Sequence, residues 1–218
     1  MKGENFMKLT ILGIQGCGKG TQAKRIAKEY GIPHISTGDI FRKAMAEQTP
    51  LGKEAQGYVN SGNLVPDSLT INLVKERVAQ EDCANGYILD GFPRNMAQAE
   101  AFVDQLDKAI YIDVDEDTVI KRIKARRTCE KCGEIYSTET YDKDTCSKCG
   151  GKLIIREDEK SIDTRIQIYK TETFPLVEYF NTKGKLVSID TESVRSKYTE
   201  AEDQINGIFN VIKKSLGK

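Results

Sequence analysis

The sequence predicts an α/β fold: a parallel five-stranded sheet flanked by helices. Three observations carry this. Short apolar runs alternate with amphipathic stretches of helical spacing, the pattern of strand–helix–strand units. The first apolar run passes straight into a glycine cluster, Gly13, Gly16, Gly18 and Gly20. One segment, 128–160, breaks the alternation; it is polar, turn-rich and holds four of the six cysteines.

The elements follow in order. KLTILGI (8–14) is a continuous apolar run and reads as a buried strand. GTQAKRIAKEYG (20–31) has helical spacing and ends at Gly31, a C-terminal cap. PHIS is a short strand, and TGDIFRKAMAEQ (37–48) a helix stopped by Thr49-Pro50. LGKEAQGYVNSG and PDSLTINLVKERVAQ are further helices, the second starting at Pro66. YILD (87–90) is a strand, NMAQAEAFVDQL a helix, KAIYIDV (108–114) a strand and EDTVIKRIKARR (116–127) a helix. KLVSID (185–190) is the last strand and TEAEDQINGIFNVIKKSL the last helix. The first six residues read as a disordered extension, with the fold starting near Met7.

Bulk composition excludes several classes. The chain has 218 residues, 39% apolar and 30% charged, an ordinary globular balance. Lysine plus arginine equal aspartate plus glutamate at 33 each, whereas dedicated nucleic-acid binders are strongly basic. No apolar run approaches the roughly 20 residues that span a bilayer. MKGENFMK lacks the apolar core of a signal peptide, so the expected location is the cytoplasm.

The glycine cluster has a chemical reason. GIQGCGKG, Gly13 to Gly20, fits G-x-x-x-x-G-K with a strand before it and a helix after. Backbone N–H groups must turn inward around phosphate oxygens, and side chains would obstruct them. The following helix adds its positive N-terminal end, and Lys19 reaches the β/γ phosphates. A glycine-rich turn with a chance lysine is the plain alternative. A dinucleotide loop is a poorer fit, because Thr21 stands where the third glycine belongs. Gly20 follows Lys19 in place of the usual Mg²⁺-holding Ser/Thr, with Thr21 one place later, so Mg²⁺ is expected to be held through water. The predicted sheet is therefore of the P-loop NTPase type.

The cysteines form a second motif. Cys129-x-x-Cys132, 13 residues, then Cys146-x-x-Cys149 is a metal-binding spacing, and Gly133 and Gly150 follow the two pairs. Four thiolates suit tetrahedral Zn²⁺, with iron and a pair of disulfides as alternatives. A fully liganded metal would be structural, supplying folding energy to a segment too small for a core. Cys83 reads as a packing residue.

GKGTQ, STGDIFR (36–42), LVPD (64–67), DGFPRNMAQAE (90–100) and KRIKARR (121–127) together resemble the adenylate kinase family, in the family's order and from about residue 8 to 215. The resemblance implies reversible transfer from Mg·ATP to AMP, giving ADP. It implies a core (1–35, 67–127, 161–218), a helical NMP-binding insertion (36–66) and a small zinc-binding lid (128–160). It places Gly16, Cys17, Gly18, Lys19, Gly20, Thr21, Arg122, Arg126, Ile135 and Tyr136 on ATP. It places Thr37, Arg42, Asn63, Leu64, Val65, Gly91, Phe92, Pro93, Arg94, Gln98, Arg156 and Arg165 on AMP, Thr37 and Gln98 reading the base. Lys19, Arg94, Arg126, Arg156 and Arg165 would act on the transferring group, and Asp90 on Mg²⁺-bound water. Arg122 and Arg126 are taken at helical i,i+4 spacing. His34, the one histidine, is expected to pack, since this reaction needs no base. The chain departs from the family at Gln15 and Cys17, where proline and a small residue are usual, and its lid is short. A monomer is expected, with ATP, AMP and ADP as partners.

A zinc ribbon on an NTPase, binding nucleic acid, is the rival reading. The Cys₄ knuckle and the basic run 121–131 support it; the balanced charge and the lack of aromatics within that run oppose it. Tyr136 and Tyr141 lie beyond the run.

Overall fold

The computed structural model describes residues 7–156, 159 and 161–217. The expected extension over residues 1–6 lies outside the described residues. Five parallel strands form one sheet in the order β2-β3-β1-β4-β8: β1 (Met7–Leu12), β2 (His34–Ser36), β3 (Gly86–Asp90), β4 (Lys108–Asp113) and β8 (Leu186–Asp190). Side chains alternate across it, as strand geometry requires. Leu9, Ile11, Ile88, Ile110 and Ile112 enter one apolar cluster with Ile26 of α1 (Lys19–Tyr30) and Ile208 and Ile212 of α10 (Ala201–Ser215). Leu12, Tyr87, Leu89, Ala109 and Tyr111 enter the opposite cluster. There they meet Val74 of α4 (Asp67–Val78), Ala99 of α5 (Met96–Glu100) and Leu176 and Phe180 of α8 (Pro175–Thr182).

Two insertions stand apart from this sandwich. α2 (Thr37–Ala46) and α3 (Pro50–Ser61) pack on each other around Phe41, Ala55, Val59 and Val65. Their crossing is close enough to require glycine: a Cβ on Gly52 would lie 2.0 Å from the Ala44 carbonyl oxygen. Gly52→Ala should therefore force the helices apart and destabilise this insertion by about 1–3 kcal/mol. Thermal melting checks this, and an unchanged melting temperature would refute the close crossing. The other insertion is a three-stranded antiparallel sheet, order β6-β5-β7: β5 (Arg126–Cys129), β6 (Ile135–Ser137) and β7 (Leu153–Ile154).

Some elements differ from expectation. The helix expected through Leu106 ends at Glu100, and Val103–Gln105 forms a separate 3₁₀ turn. α6 (Glu116–Ala125) stops one residue before Arg126, whose ψ of 138° opens β5. Arg122 and Arg126 therefore do not share a helix face; strand pairing to Ser137 overrides the helical spacing. Between residues 161 and 184, where no element was predicted, lie α7 (Ile162–Ile168), a π-helical turn (Tyr169–Thr173) and α8. Pro175 and a string of β-branched and aromatic residues mask the helical pattern there. Pro175 sits in the first turn of α8, where it is tolerated. α9 (Thr191–Arg195) was also unpredicted. Among the described residues no helix is long and apolar enough to cross a membrane.

Candidate active site

The glycine loop connects β1 to α1 at the sheet's carboxyl edge, where ligands of parallel α/β sheets bind. Gly16 has φ 88°, and a Cβ there would meet Ile123 of α6 at 2.9 Å, so both backbone angle and space demand glycine. Gly18, at φ 102°, is the N-cap of α1. The helix opens without a side-chain cap, and no acidic residue lies in its first turn. Its amino end is left to an anion. The Lys19 ammonium donates to the carbonyls of Gly13 (2.6 Å) and Ile14 (2.9 Å), inside the loop's curve. Cys17 is buried, its sulfur 3.8 Å from the Lys19 nitrogen. Gly20 faces Asp90: a Cβ there would lie 3.4 Å from Asp90 Oδ2.

Asp90 ends β3 beside the loop. Its Oδ2 is 3.2 Å from His34 Nε2, so His34 does more than pack. Burial alone would raise the Asp90 carboxyl; the His34 contact and the charges of Lys19 and Arg94 outweigh it and hold it below the ordinary carboxylate range. The Asp90 contribution to stability is thus complete above the unfolded carboxylate pKa and is lost as pH falls through the lower folded value. At neutral pH the group is an ionised oxygen donor, which suits a hydrated Mg²⁺.

A cleft opens on the β2–β3 side. Thr37, Arg42, Asn63, Leu64, Val65, Gly91, Arg94, Gln98 and Arg165 line it. Thr37 is buried, and its hydroxyl donates to the Gly91 carbonyl at 2.9 Å, leaving its oxygen free to accept. The Gln98 amide is divided: Oε1 accepts from the Arg94 N–H, and Nε2 donates to Asp67, both at 2.8 Å. One Nε2 proton remains. Arg94 Nε donates to the Gly91 carbonyl at 2.9 Å, while its own carbonyl accepts from Thr173 of the π-helical turn at 2.6 Å. Arg42 pairs with Asp39, and the positive field of Arg156 also reaches Asp39. Phe92 and Pro93 do not line the cleft. Phe92 lies edge-on to Phe102 in the core, and its carbonyl accepts from buried Thr10.

Arg165, on α7, ties the two regions together. It lines the cleft and also donates to Gln15 Oε1 of the glycine loop. The unusual loop residue is therefore the anchor of a cleft arginine. Arg126 Nε and Nη2 each lie 2.7 Å from Oε1 of buried Glu159. Glu159 was not anticipated, and Gln15 and Asp67, though inside quoted motifs, were given no role, because each acts as a partner of another side chain.

The Cys129, Cys132, Cys146 and Cys149 sulfurs all lie within 4.8 Å of one another, and all are free thiols. Cys129–Cys149 is 3.4 Å and Cys132–Cys146 is 3.6 Å. Four sulfurs about 2.3 Å from a tetrahedral zinc stand about 3.8 Å apart, so the donors fit that ion. Tyr136 turns its hydroxyl to Cys146 Sγ (3.2 Å) and Ser147 Oγ (3.0 Å). That contact holds the Cys146 thiol below its ordinary pKa, towards the metal-binding thiolate. Ile135 is exposed on β6.

Comparison with known proteins agrees with this geometry. The sequence model of the family described as Adenylate kinase matches residues 11–185. The adenylate kinase of Fervidobacterium nodosum is 46% identical over 218 residues, covering 94% of this chain and 97% of the relative. That of Thermodesulfovibrio yellowstonii is 48% identical over 195 residues, covering 84% and 91%. That of Bacillus subtilis is 42% identical over 215 residues, covering 93% and 99%. A match of this extent and identity places the chain in the adenylate kinase family.

Proposed function

We propose that the chain transfers the γ-phosphoryl group of ATP to AMP, reversibly, giving two ADP. The observation that carries this reading is Arg165, which reaches the phosphate loop through Gln15 and the cleft beside Thr37. A donor phosphate in the loop and an acceptor phosphate in the cleft would then face a shared guanidinium. The division into a core, an NMP-binding insertion at 36–66 and a lid at 128–160 belongs to the same proposal.

Phosphoryl transfer needs positioning and positive charge, not a covalent nucleophile. The loop N–H groups and Lys19 bind the donor phosphates. Arg42 and Arg94 take the AMP phosphate, whose oxygen attacks the γ-phosphorus as the bond to the β-phosphate oxygen breaks. Arg126, Arg156 and Arg165 balance charge on the transferring group. Glu159 sets the plane of the Arg126 guanidinium, and Arg94 is held at Nε and at its carbonyl. Mg²⁺, when bound with ATP, neutralises the phosphate charge, and Asp90 would hold it through water. Closure of the insertions excludes water, so that the phosphoryl group meets AMP and not hydrolysis. We assign the Cys₄ ion as Zn²⁺ with a structural role. The same reading takes a cytoplasmic monomer acting without nucleic acid or membrane; the rival requires tight, salt-sensitive RNA or DNA binding in a titration.

AMP should be the preferred acceptor. An adenine edge presents an amino donor and a ring-nitrogen acceptor, the complement of the Thr37 oxygen and the remaining Gln98 N–H. Guanine and uracil reverse that order, and the mismatch leaves buried polar groups unpaired; cytosine keeps the order but is one ring smaller and would fall short of the two side chains. The expected advantage of AMP over GMP, CMP or UMP is at least about tenfold in kcat/KM. A coupled ADP-formation assay with each monophosphate measures it, and UMP or CMP turnover matching AMP would sink the reading.

A further inference from the structure

Gln15 stands where the family's loop usually carries proline, and proline offers no side-chain acceptor. The backbone on either side of it is fixed. Ile14 is buried in the cluster that also holds Ile26 and Ile208. Its carbonyl accepts from the Cys17 N–H at 3.2 Å and from the Lys19 ammonium at 2.9 Å. Gly16 is pressed against Ile123. The Gln15 side chain therefore springs from a rigid point of the loop. α7 is seated on the same cluster through Ile166, the neighbour of Arg165. The Arg165 stem runs beside Gly62, the C-terminal cap of α3, where a Cβ would lie 3.0 Å from Arg165 Cγ. Its Nη1 donates to Gln15 Oε1. One side chain thus runs along the acceptor insertion at its stem and meets the donor loop at its head.

The chemistry of the acceptor matters as much as its place. A long arginine samples many rotamers, and a guanidinium that must be ordered at the moment of transfer slows the reaction. Gln15 removes part of that freedom beforehand. A carboxylate at this position would also hold Arg165, but it would cancel positive charge and repel phosphates in the loop. An amide oxygen is neutral. It directs the guanidinium and leaves its full charge for the transferring group, where charge is what phosphoryl transfer demands.

We propose that Gln15 is a positioning residue for phosphoryl transfer, acting through Arg165. The inference rests on the proposed kinase reading. Its test is steady-state kinetics and melting of Gln15→Met, Gln15→Glu, Arg165→Met and the double variant of Gln15→Met with Arg165→Met. Gln15→Met keeps the length and loses the acceptor. It should lower kcat about tenfold and leave KM for ATP unchanged. Its melting temperature should stay within about 4 °C of the parent's. Gln15→Glu keeps the acceptor and adds a charge; it should raise KM for ATP about tenfold. In the Arg165→Met background, Gln15→Met should cost nothing further, because the group it positions is gone. A kcat of Gln15→Met equal to the parent's would overturn the proposal and leave the kinase reading standing. So would an undiminished loss in the Arg165→Met background, or a larger fall in melting temperature; either would make Gln15 a structural part of the loop. Parent protein that forms no ADP from ATP and AMP would overturn the kinase reading itself, and this proposal with it.

Discussion

Lys19→Met and Arg94→Met should each slow phosphoryl transfer by about 10³-fold or more while the protein stays folded. The two side chains approach the reaction from opposite sides. Lys19 lies inside the loop curve, on the Gly13 and Ile14 carbonyls. A donor phosphate offers its ammonium a full negative charge in place of two carbonyl dipoles, and the charge-assisted bonds are about twice as strong. Arg94 is fixed at the Gly91 carbonyl and at Thr173, so its guanidinium is oriented before substrate arrives. Preorganised charge lowers the barrier most, because nothing needs to reorient during transfer. Methionine keeps comparable length and apolar stem in both places, and neither side chain belongs to the apolar clusters of the core. Circular dichroism should therefore show a parent-like fold. The coupled assay then reads kcat directly. A folded Arg94→Met protein with near-parent kcat would remove Arg94 from the reacting site.

Much of this was legible in the sequence, for reasons that differ by element. The five strands were readable because a parallel sheet buried on both faces leaves continuous apolar runs such as KLTILGI. The glycine loop and the cysteine knuckle were readable because their chemistry fixes both residue type and spacing. The segment 161–184 was not, since Pro175 reads as a breaker when it is in fact a first-turn residue. Arg126 was assigned to a helix because local spacing cannot see the partner strand residue Ser137. The supporting side chains were the least visible. His34 on Asp90, Gln15 on Arg165 and Glu159 on Arg126 join residues 56, 150 and 33 positions apart. No local pattern encodes such pairs; only the fold brings them together.

The metal should have the largest effect on stability, confined to one part of the molecule. The small sheet β5–β7 has an apolar cluster of Cys129, Cys146 and Leu153, with Tyr136 and Tyr141 against it. That is too little apolar surface to hold three short strands, so the proposed Zn²⁺ would serve as the core. Structural zinc can supply on the order of 10 kcal/mol to such a domain. The main sheet is different: it is covered on both faces by large clusters that contain no cysteine of the knuckle. Removing the metal, or Cys146→Ser, should therefore melt the lid first and raise its protease sensitivity, while the sheet keeps its own transition. Activity at low temperature should fall only partly, because Lys19, Arg42, Arg94 and Asp90 lie outside the small sheet. Arg126 is the exception. It opens β5 and pairs with Glu159, so loosening the lid should misplace one transfer arginine and spare the rest. Elemental analysis of protein purified without chelator should give one zinc per chain, followed by calorimetry and assay of the metal-free form. Protein that carries no metal would undo the structural assignment. Four thiolates around a structural zinc leave no coordination position for a reacting oxygen; a metal-free form that keeps its lid transition but cannot transfer phosphate would contradict this and make the ion catalytic.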